Sequence, residues 1–112
     1  MSVSFHGIGQ VCATFLGSGT EGQVVKVSGQ DTVAPCSAGN SFCGVAVCVK
    51  DDACCVQVAG FATVPYSGDA APSVGYAALS ADGEGGVKSD ENGREYLVVS
   101  ADTTAKTVTI LL

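Results

Sequence analysis

The sequence predicts an all-β fold, a small single-domain β-barrel or sandwich of about nine short strands with an N-terminal arm. Three observations predict it. Fifteen glycines and three prolines cut the 112 residues into short runs rich in Val, Thr, Ala and Cys. No stretch keeps apolar residues at i, i+3, i+4 and i+7 over a dozen positions without Gly or Pro interrupting, so no helix face is available. Turn residues recur between the runs, as they do between the strands of sandwiches and barrels.

Each element follows from its own residues. Residues 10–16 and 22–28 are the first two strands, and a short strand at 32–35 ends at Pro35. Residues 43–50 form an almost continuous apolar run, which suits a strand covered on both faces. Asp51-Asp52 turns the chain tightly, and residues 53–59 return, giving the clearest hairpin in the sequence. Residues 61–65 extend that hairpin towards Pro65, and Ser67–Ser73 is a loop by its turn chemistry.

Tyr76–Ser80 is a strand, Asp82–Gly86 a turn and Val87–Ser89 its short partner. Asn92-Gly93 is a strong turn dipeptide leading into Glu95–Ala101. In the last strand, 105–112, Val108, Ile110 and Leu112 share one face by alternation, which ties the C-terminus into a sheet. The organisation expected is an arm plus first strand over 1–20 and a barrel body over 21–112, one domain in all. Gly17–Thr20, with residues 1–9, is the expected arm or mobile loop.

Composition narrows the function classes. With 46% hydrophobic and 14% charged residues, the chain is not a disordered segment. The net charge is −6, and the five Lys and Arg are scattered singly. Nucleic acid and anionic membrane surfaces are therefore not expected partners. Met1–Gly7 lacks the basic and apolar regions of a secretory signal, and no run is long enough for a membrane helix. The expectation is a chain made and kept in the cytoplasm.

Six cysteines (Cys12, Cys36, Cys43, Cys48, Cys54 and Cys55) could form a disulfide framework in a secreted protein. In a cytoplasmic setting they read as reduced, buried packing residues. Cys43 and Cys48 have the spacing of a zinc pair, but lie on one strand at odd separation and so face opposite ways, as do the adjacent Cys54 and Cys55. No metal site is expected.

Other candidate chemistry is equally thin. Gly17-Ser18-Gly19-Thr20-Glu21-Gly22 matches G-x-G-x-x-G, but the strand pattern Gln23–Val27 follows it where a nucleotide site needs a helix. His6, the only histidine, falls in the expected arm, away from the cysteines or serines it would have to activate. The paired carboxylates Asp51-Asp52, Asp82 with Glu84, and Asp90-Glu91 lie in turns and read as solvated turn residues. No enzyme and no cofactor are expected. Four Phe and three Tyr, without Trp, leave Phe61, Tyr66, Tyr76 and Tyr96 for core edges or subunit contacts, and Phe5, His6, Phe61, Tyr66 and Tyr76 as candidate interface residues.

Three stretches carry a resemblance. They are Gly22–Val27 leading into Ala38–Ala46, then Val56–Pro65, and finally Lys106–Leu112. In this order they resemble the capsid decoration (cement-like) proteins of tailed phages and prophages, including the DUF2190-like group. There a G-x-x-V is followed by G-D-x-F-x-G-V-A, then V-x-V-x-G-x-x-x-V-P, then a closing T-V-x-V-x-L strand. The motifs are strand-and-turn patterns rather than chemical signatures. Asn40 stands where the pattern has an acidic residue, the central strands carry extra cysteines, and residues 1–20 have no counterpart.

The resemblance implies a non-enzymatic β-barrel protein on the outside of a virion head. It would bind the major capsid protein, often as a homotrimer, after synthesis in the bacterial host cytoplasm. Two other function classes fit the residues: a β-domain that binds a carbohydrate or host receptor, and a cysteine-based metal or thiol-redox protein.

Overall fold

The computed structural model describes residues 10–112. Among them are ten strands and no helix: β1 (Val11–Gly17), β2 (Val24–Gly29), β3 (Thr32–Pro35), β4 (Gly44–Lys50), β5 (Ala53–Ala59), β6 (Phe61–Pro65), β7 (Gly75–Ala81), β8 (Val87–Ser89), β9 (Arg94–Asp102) and β10 (Thr107–Leu111). The first five close into a barrel in the order β1-β3-β2-β4-β5. The other five form an open sheet in the order β6-β10-β9-β7-β8. Barrel and sheet are thus both present, stacked on each other.

Aspartates and glycines set the turns. Asp31 and Asp51 hold the β2–β3 and β4–β5 turns at positive φ, which aspartate tolerates better than most residues. Asp82 Oδ1 accepts from the Glu84 and Gly86 N–H groups after β7, and Asp102 Oδ1 accepts from Thr104 and Ala105 after β9. The carboxylates read as turn residues therefore make the turns as well as decorating them.

Residues 61–65 do not extend the hairpin. Gly60, at φ +94°, takes the chain out of the barrel, and β6 opens the second sheet beside β10. This break makes ten strands from an expected nine. β1 is not an appendage either. It pairs antiparallel with β5 and parallel with β3, and so closes the barrel. Gly17, at φ +110°, permits the parallel contact, because a methyl there would land on the Val33 carbonyl oxygen.

The Gly17–Gly22 loop is tied down. Ser18 N–H donates to Val33 O, and Gly22 N–H donates to Ala46 O. The expected arm at 1–9 lies outside the described residues.

Two cores result. Inside the barrel, Val25, Val33, Ala46, Cys54 and Val56 are buried, with Phe15 and Val49 packed against them. Between the barrel wall and the open sheet lie Val24, Phe42 and Val45 from the barrel side, against Val64, Leu79, Val87, Tyr96, Val98, Val108 and Ile110. Adjacent residues on β2 (Val24 and Val25) and on β4 (Val45 and Ala46) feed different cores, as strand alternation requires. The run over 43–50 is covered on both faces only as far as Ala46; Val47 and Cys48 are exposed. The register of β4 against β5 shifts between Ala46 and Cys48, and the wall is uncovered beyond that point.

The second core is pinned by Phe42 stacked on Tyr96, with ring centroids 4.9 Å apart. Tyr96 is buried, and that burial raises its phenol pKa. Leu112 N–H donates to Gly60 O, which ties in the last residue as its alternation predicts.

The packing sets two expected outcomes. Ile110→Ala, at a fully buried position, costs about 2–5 kcal/mol of unfolding free energy. Gly44→Ala drives a methyl onto the Gln57 carbonyl oxygen and costs about 1–3 kcal/mol through forced backbone movement. Urea denaturation at unchanged m-value measures both.

Candidate functional site

The outer face of the open sheet carries a row of apolar side chains at matched register. Tyr76 on β7 is opposite Leu97 on β9, Leu97 is opposite Leu111 on β10, and Leu111 is opposite Phe61 on β6. Their neighbours Ala62, Tyr96, Val98 and Ile110 point into the second core, so by alternation the four point away from it. Neighbouring strands are about 4.8 Å apart, which makes the row roughly 14 Å long. Tyr76 is 74% exposed and Val74 beside it 70%. A contiguous apolar face of this kind marks a contact surface more often than isolated exposed residues do.

The rim of the row is polar. Thr63 and Thr109 form the next cross-strand pair, sharing a 2.8 Å hydrogen bond between their hydroxyls. Glu95 is exposed on the strand that carries Leu97. An apolar centre with a polar border resembles the anatomy of protein interfaces.

Of the residues singled out from sequence, Phe61 and Tyr76 stand at opposite ends of this row. Tyr66 does not join them. It is 6% exposed and packs in the second core, beneath the Lys106 ammonium 5.5 Å from its ring centroid. A parallel bridge to Val87 holds it there, at the corner where β6 approaches β8. Phe5 and His6 lie outside the described residues. Sequence reading missed Leu97 and Leu111. Their signal was parity: Tyr96 and Leu97 are adjacent, as are Ile110 and Leu111, so one of each pair must leave the core.

The cysteines are all free, but only Cys54 is fully buried, which corrects the expectation of six buried thiols. Cys12 and Cys48 are exposed, and Cys36, Cys43 and Cys55 are half-buried. Small side chains in Val-rich runs look like core from sequence alone, and the expectation failed where strand faces lack a covering layer. Burial raises the thiol pKa of Cys36, Cys43 and Cys54, which disfavours their thiolate forms. Among the described residues, no three His, Cys, Asp or Glu side chains gather as a metal-binding set.

A cleft of about 750 Å³ lies beside β4 and β6 and is lined by Val47, Ala62, Phe61, Gln57 and Glu21 among others. Gln57 is engaged: its Nε2 donates to the carbonyls of Ala59 and Phe61. Among the described residues Glu21 is the one carboxylate in the lining, so the cleft shows no carboxylate pair for acid–base work. Asp90 accepts hydrogen bonds from the buried Ser80 hydroxyl and from Asn92 N–H. These, with Lys88 nearby, hold its carboxyl below the usual range. That geometry caps a turn.

No protein-family model matches the chain, and no curated protein matches it.

Asp90 gives a pH prediction. Its folded pKa is depressed, so its stabilising contribution is complete above the ordinary carboxylate value of about 3.9 and is lost as pH falls through the lowered folded value. The gap in melting temperature between wild type and Asp90→Ala should be constant from neutrality to about pH 5 and shrink below about pH 4. Thermal melts across that range, followed by circular dichroism, measure it.

Proposed function

We propose that the chain is a structural protein of a tailed-phage or prophage virion: a non-enzymatic head decoration protein. In this reading it binds the outside of the major capsid lattice as a homotrimer. What carries the proposal is the apolar row Tyr76–Leu97–Leu111–Phe61 on the outer face of the open sheet, exposed at Tyr76 and Leu111 and half-buried at Leu97 and Phe61. Such a protein needs area rather than chemistry. Many modest contacts repeated over a lattice reinforce one another through multivalency, and closed symmetry lets copies share one interface.

The stretches that resemble decoration proteins meet in space. Gly22 N–H donates to Ala46 O and Cys43 N–H donates to Val25 O, tying the two halves of the first together, and Val45 and Ala46 pair with Gln57 and Val56 of the second. Leu112 N–H donates to Gly60 O, joining the last two. Together they build the junction between barrel and open sheet, which supports reading them as one pattern. The departure at Asn40 is chemically small. Its Oδ1 accepts from Ser37 N–H and from the Lys26 ammonium, each at 2.9 Å, which a carboxylate would also do.

The test is co-expression with the major capsid protein encoded beside the gene, followed by sedimentation of assembled shells. Wild type should travel with the shells, and light scattering of the free protein should give a trimer. Tyr76→Ser combined with Leu111→Ser should weaken shell binding at least about tenfold, or ~1.4 kcal/mol. Surface changes of this kind leave stability within about 0.5 kcal/mol each. A chain left in the supernatant, or a gene with no capsid, portal or protease gene nearby, would sink the reading.

A further inference from the structure

The barrel hairpin β4–β5 carries a second feature, independent of the apolar row. Its register begins with Val45 opposite Gln57 and Ala46 opposite Val56. Continued regularly, it would place Val47 opposite Cys55. Instead Val47 is an extra residue, and Cys48 faces Cys55 while Val49 faces Cys54. A bulge of this type re-aims the side chains that follow it.

The two thiols so paired share the outer face of the barrel. Cys54 and Val56, next to Cys55 along the chain, point into the barrel core, so Cys55 points out. Cys48 is exposed and Cys55 half-buried, so both can be reached. We propose that Cys48 and Cys55 are a redox-active dithiol, which closes to a cross-strand disulfide by exchange with a small soluble disulfide.

Partner choice follows from register. Directly opposed residues on antiparallel strands have Cα atoms about 4.5–5.5 Å apart, inside the span of about 4.4–6.8 Å that disulfides adopt. Cys12 is the other exposed thiol on this face, but it pairs with Gln57. Thr14 is the β1 residue opposite Cys55, so Cys12 is only diagonal to Cys55, at about 7–8 Å. Cys54 is fully buried on the inner face.

The step balances as a two-electron exchange. The Cys48 thiolate attacks one sulfur of the small disulfide, forming a mixed disulfide and releasing one small thiolate. The Cys55 thiolate then attacks Cys48 Sγ; the mixed S–S bond breaks and the second small thiolate leaves. The two protons shed by the cysteines pass to the two small thiols. The protein is oxidised, and the small disulfide is reduced.

The experiment treats the reduced full chain with excess oxidised glutathione, alkylates the remaining thiols, and maps them by mass spectrometry. The expected product is a monomer with one linked peptide joining Cys48 to Cys55, that link removing two hydrogens, with Cys12 alkylated or carrying one glutathione and the remaining thiols alkylated once the chain is unfolded. Cys12→Ser should leave that link intact. Cys48→Ser should abolish it and leave Cys55 alkylated or carrying a single glutathione. Glutathione retained on both Cys48 and Cys55, a link from either to Cys12, covalent dimers, or full alkylation of both would each overturn the proposal. Unchanged melting of the two serine variants confirms that they fold.

Discussion

Two strands, β2 and β4, have to serve two cores at once, and the rest of the molecule depends on this. Val25 and Ala46 face into the barrel while their neighbours Val24 and Val45 face the open sheet. Neither core is large, and a single layer of strands separates them. Each fully buried Val, Leu or Ile contributes about 1.5–3 kcal/mol over its exposed state. The barrel wall must therefore be apolar on both sides where it is covered, and backbones must approach closely where side chains are small. Gly44, which leaves no room for a methyl against the Gln57 carbonyl, sits in that shared wall.

Most strand limits were legible because turn residues mark them chemically. Asp51, Asp82, Asp90 and Asp102 each sit at a chain reversal, and three of them accept backbone N–H groups there. Two features were not legible. The break at Gly60 separates two strands that read as one continuous hairpin, and only the pairing of β6 with β10 shows that the chain has changed sheets. The bulge at Val47 leaves no trace in composition, because Val is as acceptable in a bulge as in a ladder. It also defeats parity counting along β4, and with it the expectation of a fully covered strand. Of the residues in the apolar row, Phe61 and Tyr76 could be named from their type; their partners Leu97 and Leu111 could not, since apolar residues inside strands default to core.

Charge placement explains why the outer face is apolar in an acidic protein. Ten of the eleven acidic residues named by position occupy or adjoin turns, as Asp31, Asp69 and Glu91 do, while strand faces hold Val, Ala, Thr and Tyr. Net charge of one sign favours dispersal, and placing it at the turns leaves the strand faces largely uncharged. A polar border of Thr63 and Thr109 then limits the patch, so it does not run on into a general hydrophobic surface.

The bulge follows from the architecture of the barrel wall. β4 must leave the shared wall somewhere, since the open sheet does not cover its second half. A strand that simply continued would keep Val47 across from Cys55 and give the exposed end of the hairpin a mixed aliphatic pair. With one residue inserted, the inward positions remain apolar, with Val49 opposite the buried Cys54, and the outward position opposes two sulfurs. A single backbone irregularity thus preserves the barrel core while setting the chemistry of the surface above it. The residue that ends the doubly covered wall is also the one that brings Cys48 and Cys55 together.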